Sequence, residues 1–494
     1  MSDLLRSARL PRPTSEFRVT EVAGSSPPPE LLFPCLDPQP HEALLLSGGS
    51  HPLSRYSFIG LDPFLVAVAY GKRVHLDSLP GGQRHTLFAD PFDILRDLLR
   101  TYRQEPRTDL PPLWSGGMGY FSYELGRHIE RLPSTTADDL GLPEFYFVLY
   151  RSILSYDPVR SGYTLFTLPF PGEEQSRLKR IRTRIEGGEQ RAGRKQAWRE
   201  STLPLSLKSH FSQPEYIRSI LRILRYIEEG DIYQVNLSHR FHTPYDGDPL
   251  GLLLRLYQIN PAPFFAYLNP GPFQVISSSP ERFLCVRGDT IETRPIKGTL
   301  PRGATPEQDR INGQELLRSE KNRAELAMIT DLLRNDLGRV SSYGTVRVED
   351  PARLEGYANV FHLVSIVTGR LAPGKDLVDL LRATFPGGSI TGCPKIRAME
   401  IIDKLEPTAR SVYTGSIGYL GFDGSMDLNI AIRTLIHKGK DLYFQVGGGI
   451  VYDSDPEEEY EETLHKAASM RQALSSTCAS EISPTSFPDA GQPS

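Results

Sequence analysis

Cysteine is scarce in this chain: there are four, Cys35, Cys285, Cys393 and Cys478, with no CxxC and no paired spacing. That excludes a disulfide framework and a structural zinc site, and makes a reducing cytoplasm the expected location. No apolar run approaches the roughly 20 residues that span a bilayer, and the N-terminus lacks the apolar stretch of a secretory signal. Arg6, Arg9 and Arg12 among serines resemble an organelle transit segment, but Asp3 and the prolines favour a ragged start instead. An excess of one charge is missing too. Lys plus Arg number 56 against 60 Asp plus Glu, a net charge of −4, so nothing draws the chain globally to nucleic acid or an anionic membrane. Any anion it binds must be held by a local site.

What is present is material for a large core: 494 residues, 39% of them hydrophobic, enough for two or three domains or one unusually large one. Residues 1–170 carry short strand-like runs, such as Phe64 to Tyr70 and Phe145 to Ile153, between Gly and Pro turns, and read as a mainly sheet-built domain. Residues 171–204 are strongly charged and poor in large apolar side chains, the pattern of a solvated helix or linker. From 205 to 474, helix-period segments mix with strands such as Phe273 to Ser277 and Leu442 to Val446, an α+β unit with a substantial sheet. The Ser-, Pro- and Thr-rich stretch 475–494 is expected to be a disordered tail. No internal repeat is present.

Nearly all the chemistry falls in 205–474. In SEKNRAELAMITDLLRNDLGRV, Leu326, Ile329, Leu333 and Leu337 recur at steps of three and four, giving a helix with one buried stripe; Glu325 lies off it, one turn after Asn322. In DSDPEEEYEETLHKA, Glu459 and Glu462 are three apart and share a helix face. Two such helices facing each other would make an oxygen-rich pocket suited to Mg²⁺. On spacing alone, surface helices carry such pairs constantly and the solvated-face reading prevails.

FPGGSITGCPKIRAMEIIDKLE runs from glycines into a helix with Pro394 near its first turn, where N–H groups can hold an anion. Cys393 and Pro394 separate the last Gly from Lys395, which breaks the spacing of an ATP-binding loop. A carboxylate pocket and a plain glycine-rich turn both remain open. LYFQVGGGIV is a strand running into Gly447, Gly448 and Gly449, where a ligand can approach bare backbone; a bulge or turn is the alternative. Arg433 and Lys466 sit among apolar residues and need anionic partners, which structural ion pairs would ordinarily supply. Lys297, between Ile296 and Gly298, has the apolar, open setting of a nucleophilic amine, although most lysines are simply solvated. Glu281 in SSSPERF suits a general acid or base, with a salt bridge near Arg282 the plainer reading. His362 in VFHLVS reads, by itself, as a satisfied core histidine.

Taken in order, GDIYQVNLSHRF, SPERF, RPIKGT, ELAMITDLLRNDLGRV, FHLVS, FPGGSITGCPK, YTGSIGY, IAIRT, VGGGIVYDSDPEEEYEET and LHKA resemble the chorismate-utilising enzymes over about residues 210–473. That family includes anthranilate synthase component I, aminodeoxychorismate synthase component I, and the isochorismate and salicylate synthases. Weaker echoes, RYSFIG and GGMGYFSYELGR, precede the main match, as in the amino-transferring members. The resemblance implies an anthranilate synthase component I-like fold, α+β, with large sheets packed as a sandwich and helices outside. Isochorismate and salicylate synthases carry a water-activating lysine where this chain has Gln234, and anthranilate synthases usually read PIAGT where it reads PIKGT. The chain is therefore most similar to the aminodeoxychorismate synthase members, which aminate chorismate on the way to p-aminobenzoate and folate. Anthranilate synthase chemistry and a non-catalytic regulatory or scaffolding role are the alternatives.

By the same resemblance, Lys297 is the nucleophile, Glu281 the general acid, and His362 a further catalytic residue. Mg²⁺ is held by Glu325 and Glu462, with Glu459 ordering its water. Thr391, Tyr413, Arg433, Gly447, Gly448 and Lys466 bind chorismate, whose two carboxylates explain the embedded cations. No cysteine lies in the context of a glutaminase nucleophile, so a separate glutamine amidotransferase subunit is the implied partner and ammonia source. Two positions depart from the family pattern: Asn322 replaces an acid, and Leu46 replaces the acid of a common LLES sequence. The second removes the expectation of a functional tryptophan pocket.

Overall fold

The computed structural model describes residues 10–14, 17–22, 27–49, 51–79, 81–171, 174–193 and 198–475. The expected tail lies, after Ser475, outside the described residues.

The fold is organised by two long strands, Ser57–Tyr70 and Phe145–Asp157, paired antiparallel over most of their length. Asp62, at φ 52, and Pro63 interrupt the pairing, and the register shifts between Pro63 and Leu65. Proline cannot donate to a ladder, so it marks a bulge, and a bulge bends a strand. The two halves of the pair therefore serve two different sheets.

In one sheet the antiparallel order runs Arg18–Val22, Gly162–Thr167, the long pair, Ala43–Leu46, Phe264–Leu268, Phe273–Ser279, Thr434–Lys438, Asp441–Ile450 and Gln234–Pro244. In the other it runs Gln83–Phe88, Arg73–Ser78, the long pair, Gly116–Phe121, Ser416–Gly421, Met426–Asn429, Arg282–Arg287, Thr290–Arg294 and Val360–Arg370. Ile296–Pro301 continues along the same edge of Val360–Arg370 that Thr290–Arg294 occupies, and Arg347–Gly356 takes its opposite edge.

Residues from both sheets, including Phe58, Tyr120, Tyr146, Ala266, Val275 and Ile417, form one buried cluster between them. The outer faces are covered by helices. Pro91–Thr101, Gln213–Glu228, Leu377–Thr384 and Lys395–Leu405 contribute to one outer cluster, and Pro29–Cys35, Pro249–Ile259 and Ala468–Ser475 to another. This is the expected sandwich with helices outside. The expected strand runs all fall within strands, and Leu326, Ile329, Leu333 and Leu337 are all buried on the helix Glu320–Gly338.

The stretches on either side of the charged segment interleave: Ala43–Leu46 pairs with Phe264–Leu268, and Gly116–Phe121 with Ser416–Gly421. Within the segment, Glu174–Ala192 is a helix that buries Ile181, Ile185 and Ala192, while Arg184 and Arg191 bind Glu42 and the Cys35 carbonyl. No helix among the described residues is long and apolar enough to cross a membrane.

Gly60 marks a tight point of the crossing. A Cβ there would lie 2.6 Å from the Tyr150 ring, which is anchored by a 2.7 Å hydrogen bond from its hydroxyl to the His41 carbonyl. Gly60→Val should lower stability by about 1–3 kcal/mol through overpacking, measured by urea unfolding; an unchanged midpoint would show that the ring is free to move.

Candidate active site

The site is built where backbone lacks side chains. Asp441–Ile450 is a regular strand through Gly447, Gly448 and Gly449, and pairs with Asn236, Leu237 and Ser238 of its neighbour, so the glycines form neither bulge nor turn. A Cβ on Gly449 would lie 2.4 Å from Gln234 Nε2 and 3.0 Å from Lys297 Nζ. One on Gly448 would lie 3.1 Å from Glu459 Oε2 and 3.9 Å from Lys466 Nζ. Residues far apart in the chain thus converge on this bare strand because nothing projects from it.

Lys297 lies on Ile296–Pro301 beside a register shift, and Gly298, at φ 73, provides the left-handed residue there. The Lys297 side chain is 13% exposed, with Nζ 3.6 Å from Glu325 Oε2. A Cβ on Gly298 would meet the Asn322 amide at 2.8 Å, so this strand is pressed against the helix that carries Glu325. Asn322 donates to the Ser319 hydroxyl at 2.9 Å, at the start of that helix.

Glu281 follows the strand Phe273–Ser279 and is buried, accepting a 2.7 Å hydrogen bond from the Ser389 hydroxyl. Burial, opposed by that bond and by the nearby Lys297 charge, pushes its carboxyl up from 4.5 to about 7. It therefore retains a proton in much of the population near neutrality, as a general acid requires. The plainer reading of an Arg282 salt bridge does not hold: Arg282 is engaged by Asp427 and Glu292.

His362 is also buried. Its Nδ1 is 3.0 Å from Thr299 Oγ1 and 3.4 Å from the Gly298 carbonyl, while Nε2 has no hydrogen-bond partner. Burial and the Arg433 charge hold the ring near a pKa of about 3, so it is neutral. An Nδ1 proton shared with the carbonyl leaves Nε2 as a bare acceptor. The satisfied core histidine of the unaided sequence reading is thus only half satisfied.

Arg433 has φ 50, and its carbonyl accepts from the Ser278 amide at 3.1 Å and the Ser278 hydroxyl at 3.2 Å. Its guanidinium has no hydrogen bond or ion pair to any described residue, and burial lowers its pKa. An unpaired cation drawn from water calls for an anion. Lys466 differs: it bridges Glu462 at 2.7 Å and donates to the Gly447 carbonyl at 3.0 Å.

Of the acids, Glu459 is buried and accepts from the Ser454 hydroxyl at 2.6 Å; burial, with Glu462 adding, raises its pKa. Burial works the same way on Glu462, but Lys466, Lys297 and Lys321 outweigh it and hold that carboxyl below its ordinary value. Glu325, Glu462 and Glu459 are thus knit together through shared lysines. No group of three His, Cys, Asp or Glu side chains among the described residues converges as a ready-made metal cluster. Two all-oxygen carboxylate donors fit Mg²⁺, which commonly takes one or two and completes its shell with water and substrate.

Thr391 is buried, its hydroxyl donating to the Gly387 carbonyl at 2.9 Å, and Tyr413 is buried with its ring 6.0 Å from the Arg410 guanidinium. The sequence reading missed Ser389, the partner of Glu281, though it lies within the glycine-rich FPGGSITG segment. It also missed Thr299, which holds His362. A cavity of about 450 Å³ lies apart from these residues; it is lined by Leu46, Ser47, Phe264, Arg282 and Asp427, among others.

A model of chorismate binding enzymes matches residues 51–472. The chain belongs to that family. Among its relatives, aminodeoxychorismate synthase component 1 of Klebsiella aerogenes is 42% identical over 450 residues, covering 88% of this chain and 94% of its own. Anthranilate synthase component 1 of Acetivibrio thermocellus is 38% identical over 436 residues, covering 86% and 88%. The crystal structure of anthranilate synthase component I from Streptococcus pneumoniae TIGR4 matches with a TM-score of 0.73 at 31% identity, covering 84% of this chain and 92% of that one. Family membership makes this an enzyme that acts on chorismate; both kinds of relative stand at similar identity.

The raised Glu281 pKa means that the folded state binds more protons than the unfolded chain between about pH 4.5 and 7. This group's contribution to stability therefore falls as pH rises through that window. Glu281→Gln should remove about 3 kcal/mol of the decline between pH 4.5 and 7, read from urea unfolding at each pH. Equal declines in both proteins would show that the carboxyl is not desolvated.

Proposed function

We propose that this enzyme is the synthase component of an aminodeoxychorismate synthase, converting chorismate and ammonia to 4-amino-4-deoxychorismate for p-aminobenzoate and folate synthesis in the cytoplasm. One observation carries the reading: the Lys297 amine lies against the bare Gly449, beside the Gln234 amide and near Glu281, whose carboxyl burial pushes up to about 7. A nucleophile, an acid and an open space then share one pocket.

In this scheme Arg433, with no anion of its own, takes one chorismate carboxylate, and the Gly447–Gly448 backbone with Lys466, Thr391 and Tyr413 holds the remainder. The Lys297 nitrogen adds at C2 as both ring double bonds shift and the C4 hydroxyl departs. Glu281 gives its proton to that hydroxyl, which leaves as water. Ammonia then adds at C4, both double bonds shift back, and the C2–nitrogen bond breaks to return the Lys297 amine. His362, neutral and with Nε2 unpaired, accepts a hydrogen bond within the pocket. Bound Mg²⁺, held by Glu325 and Glu462 with Glu459 ordering its water, would supply Lewis-acid charge neutralisation at a substrate carboxylate. Ammonia comes from a separate glutamine amidotransferase subunit, for which ammonium substitutes in vitro.

Anthranilate synthase component I is the second reading, favoured by relatives of that name at 37–43% identity. Lys297 separates the two. Intact-protein mass spectrometry during turnover should show a chorismate-derived adduct on the wild type and none on Lys297→Ala, whose aminodeoxychorismate production should fall at least about 100-fold. No adduct together with unimpaired product formation by the alanine variant would remove the lysine from the mechanism. Chelation should abolish turnover, with Mg²⁺ restoring it, and Glu462→Gln should raise the Mg²⁺ concentration for half-activity about tenfold or more; activity indifferent to chelation would dismiss the metal.

A further inference from the structure

The strand Gln234–Pro244 is paired along one whole edge with Asp441–Ile450. Its other edge is paired only at Gln234 and Val235, with Gly392–Cys393, and at Phe241 and His242, with Lys208–Ser209. Between these points a strand is missing. Buried backbone groups still require partners, and side chains supply them. The Arg410 guanidinium donates to the Asn236 carbonyl at 2.7 Å, and Glu406 Oε1 accepts from the Ser238 amide at 2.8 Å. Glu406 also accepts from the Ser238 hydroxyl at 2.9 Å.

Glu406 and Arg410 form an ion pair whose side chains are each 1% exposed. Arg410 uses its donors fully: Nε and Nη2 reach the two Glu406 oxygens at 2.8 and 2.6 Å, and Nη2 also reaches Asn236. Nη1 reaches the Ile390 carbonyl at 3.0 Å and the Thr414 hydroxyl at 3.4 Å. Both Nη1 partners are one residue from a proposed substrate ligand. Ile390 precedes Thr391, whose carbonyl accepts from the Asn236 amide at 2.8 Å. Thr414 follows Tyr413. Ser411 and Thr414 have φ 56 and 59, a conformation that non-glycine residues hold only where the surroundings fix it.

We propose that Arg410 and Glu406 are positioning residues that stand in for the missing strand and hold Thr391 and Tyr413 in place for chorismate. The kinetic part of this inference rests on the proposed function. The geometric part does not. Lysine cannot reproduce the five-donor fork, and outright removal of one partner strands a buried charge. The informative variants are therefore Arg410→Lys and Glu406→Asp, which keep both charges but alter the reach, with Ser238→Ala, which removes one bond and leaves the ion pair intact.

In the full-length protein, Arg410→Lys and Glu406→Asp should each raise the KM for chorismate about tenfold while kcat changes less than about threefold, the signature of lost ground-state binding. Ser238→Ala should shift KM the same way by a smaller factor. Amide hydrogen exchange should quicken in peptides covering 234–238 and 388–393 and stay unchanged in 57–70. Arg96→Lys, which perturbs a remote ion-pair cluster with Asp376 and Asp379, should leave KM alone. A lowered melting temperature with unchanged KM, or exchange that quickens uniformly or not at all, would overturn the proposal by reducing the pair to a general brace. If the wild type leaves chorismate untouched, the proposed function falls and the exchange pattern alone decides the positioning role.

Discussion

Arg433 is a partly buried cation with no anion beside it among the described residues, an arrangement that is unfavourable until an anion compensates it. Its backbone is held in a left-handed conformation and tied by its carbonyl to Ser278. The surrounding polar groups follow the same pattern. His362 presents an unpaired Nε2, Gln234 Oε1 is buried without a partner, and Glu281 is kept out of water until its carboxyl favours the protonated form. Each is a local destabilisation, and in the proposed function an oxygen-rich, doubly charged substrate relieves them together.

The sheets make such a pocket possible. The bulged long pair turns one strand network into two facing sheets, and the strands that carry the chemistry sit far along them from that crossing. Ile296–Pro301 brings Lys297 from one sheet to the end of Asp441–Ile450 in the other, where three glycines leave room for it. Helices on the outside contribute only their ends and edges: Glu325 from one, Glu459, Glu462 and Lys466 from another. Rigid strands set the geometry, and the glycines keep it open.

Much of this was legible in the sequence wherever the signal was local. The apolar stripe through Leu326, Ile329, Leu333 and Leu337 specified its helix because helix burial is periodic, and Phe145 to Ile153 read as strand because a run buried on both faces is continuously apolar. Lys297, Glu281 and the acidic pairs were visible as residues. Their convergence came from motif order, since nothing in local spacing reports that two segments face each other. The interleaving of Ala43–Leu46 with Phe264–Leu268 is a long-range pairing with no periodic trace. Glu406 and Arg410 were hidden for a related reason: they lie four apart, but beyond the end of the helix Lys395–Leu405, so their spacing looks like any surface pair while the fold buries both.

The central claim is amination of chorismate at C4 by way of Lys297, and the position of the new amino group tests it most directly. Purified protein supplied with chorismate, Mg²⁺ and ammonium should yield 4-amino-4-deoxychorismate, which a lyase added afterwards converts to p-aminobenzoate. Release of anthranilate and pyruvate without the lyase would contradict the account and assign the amine to C2.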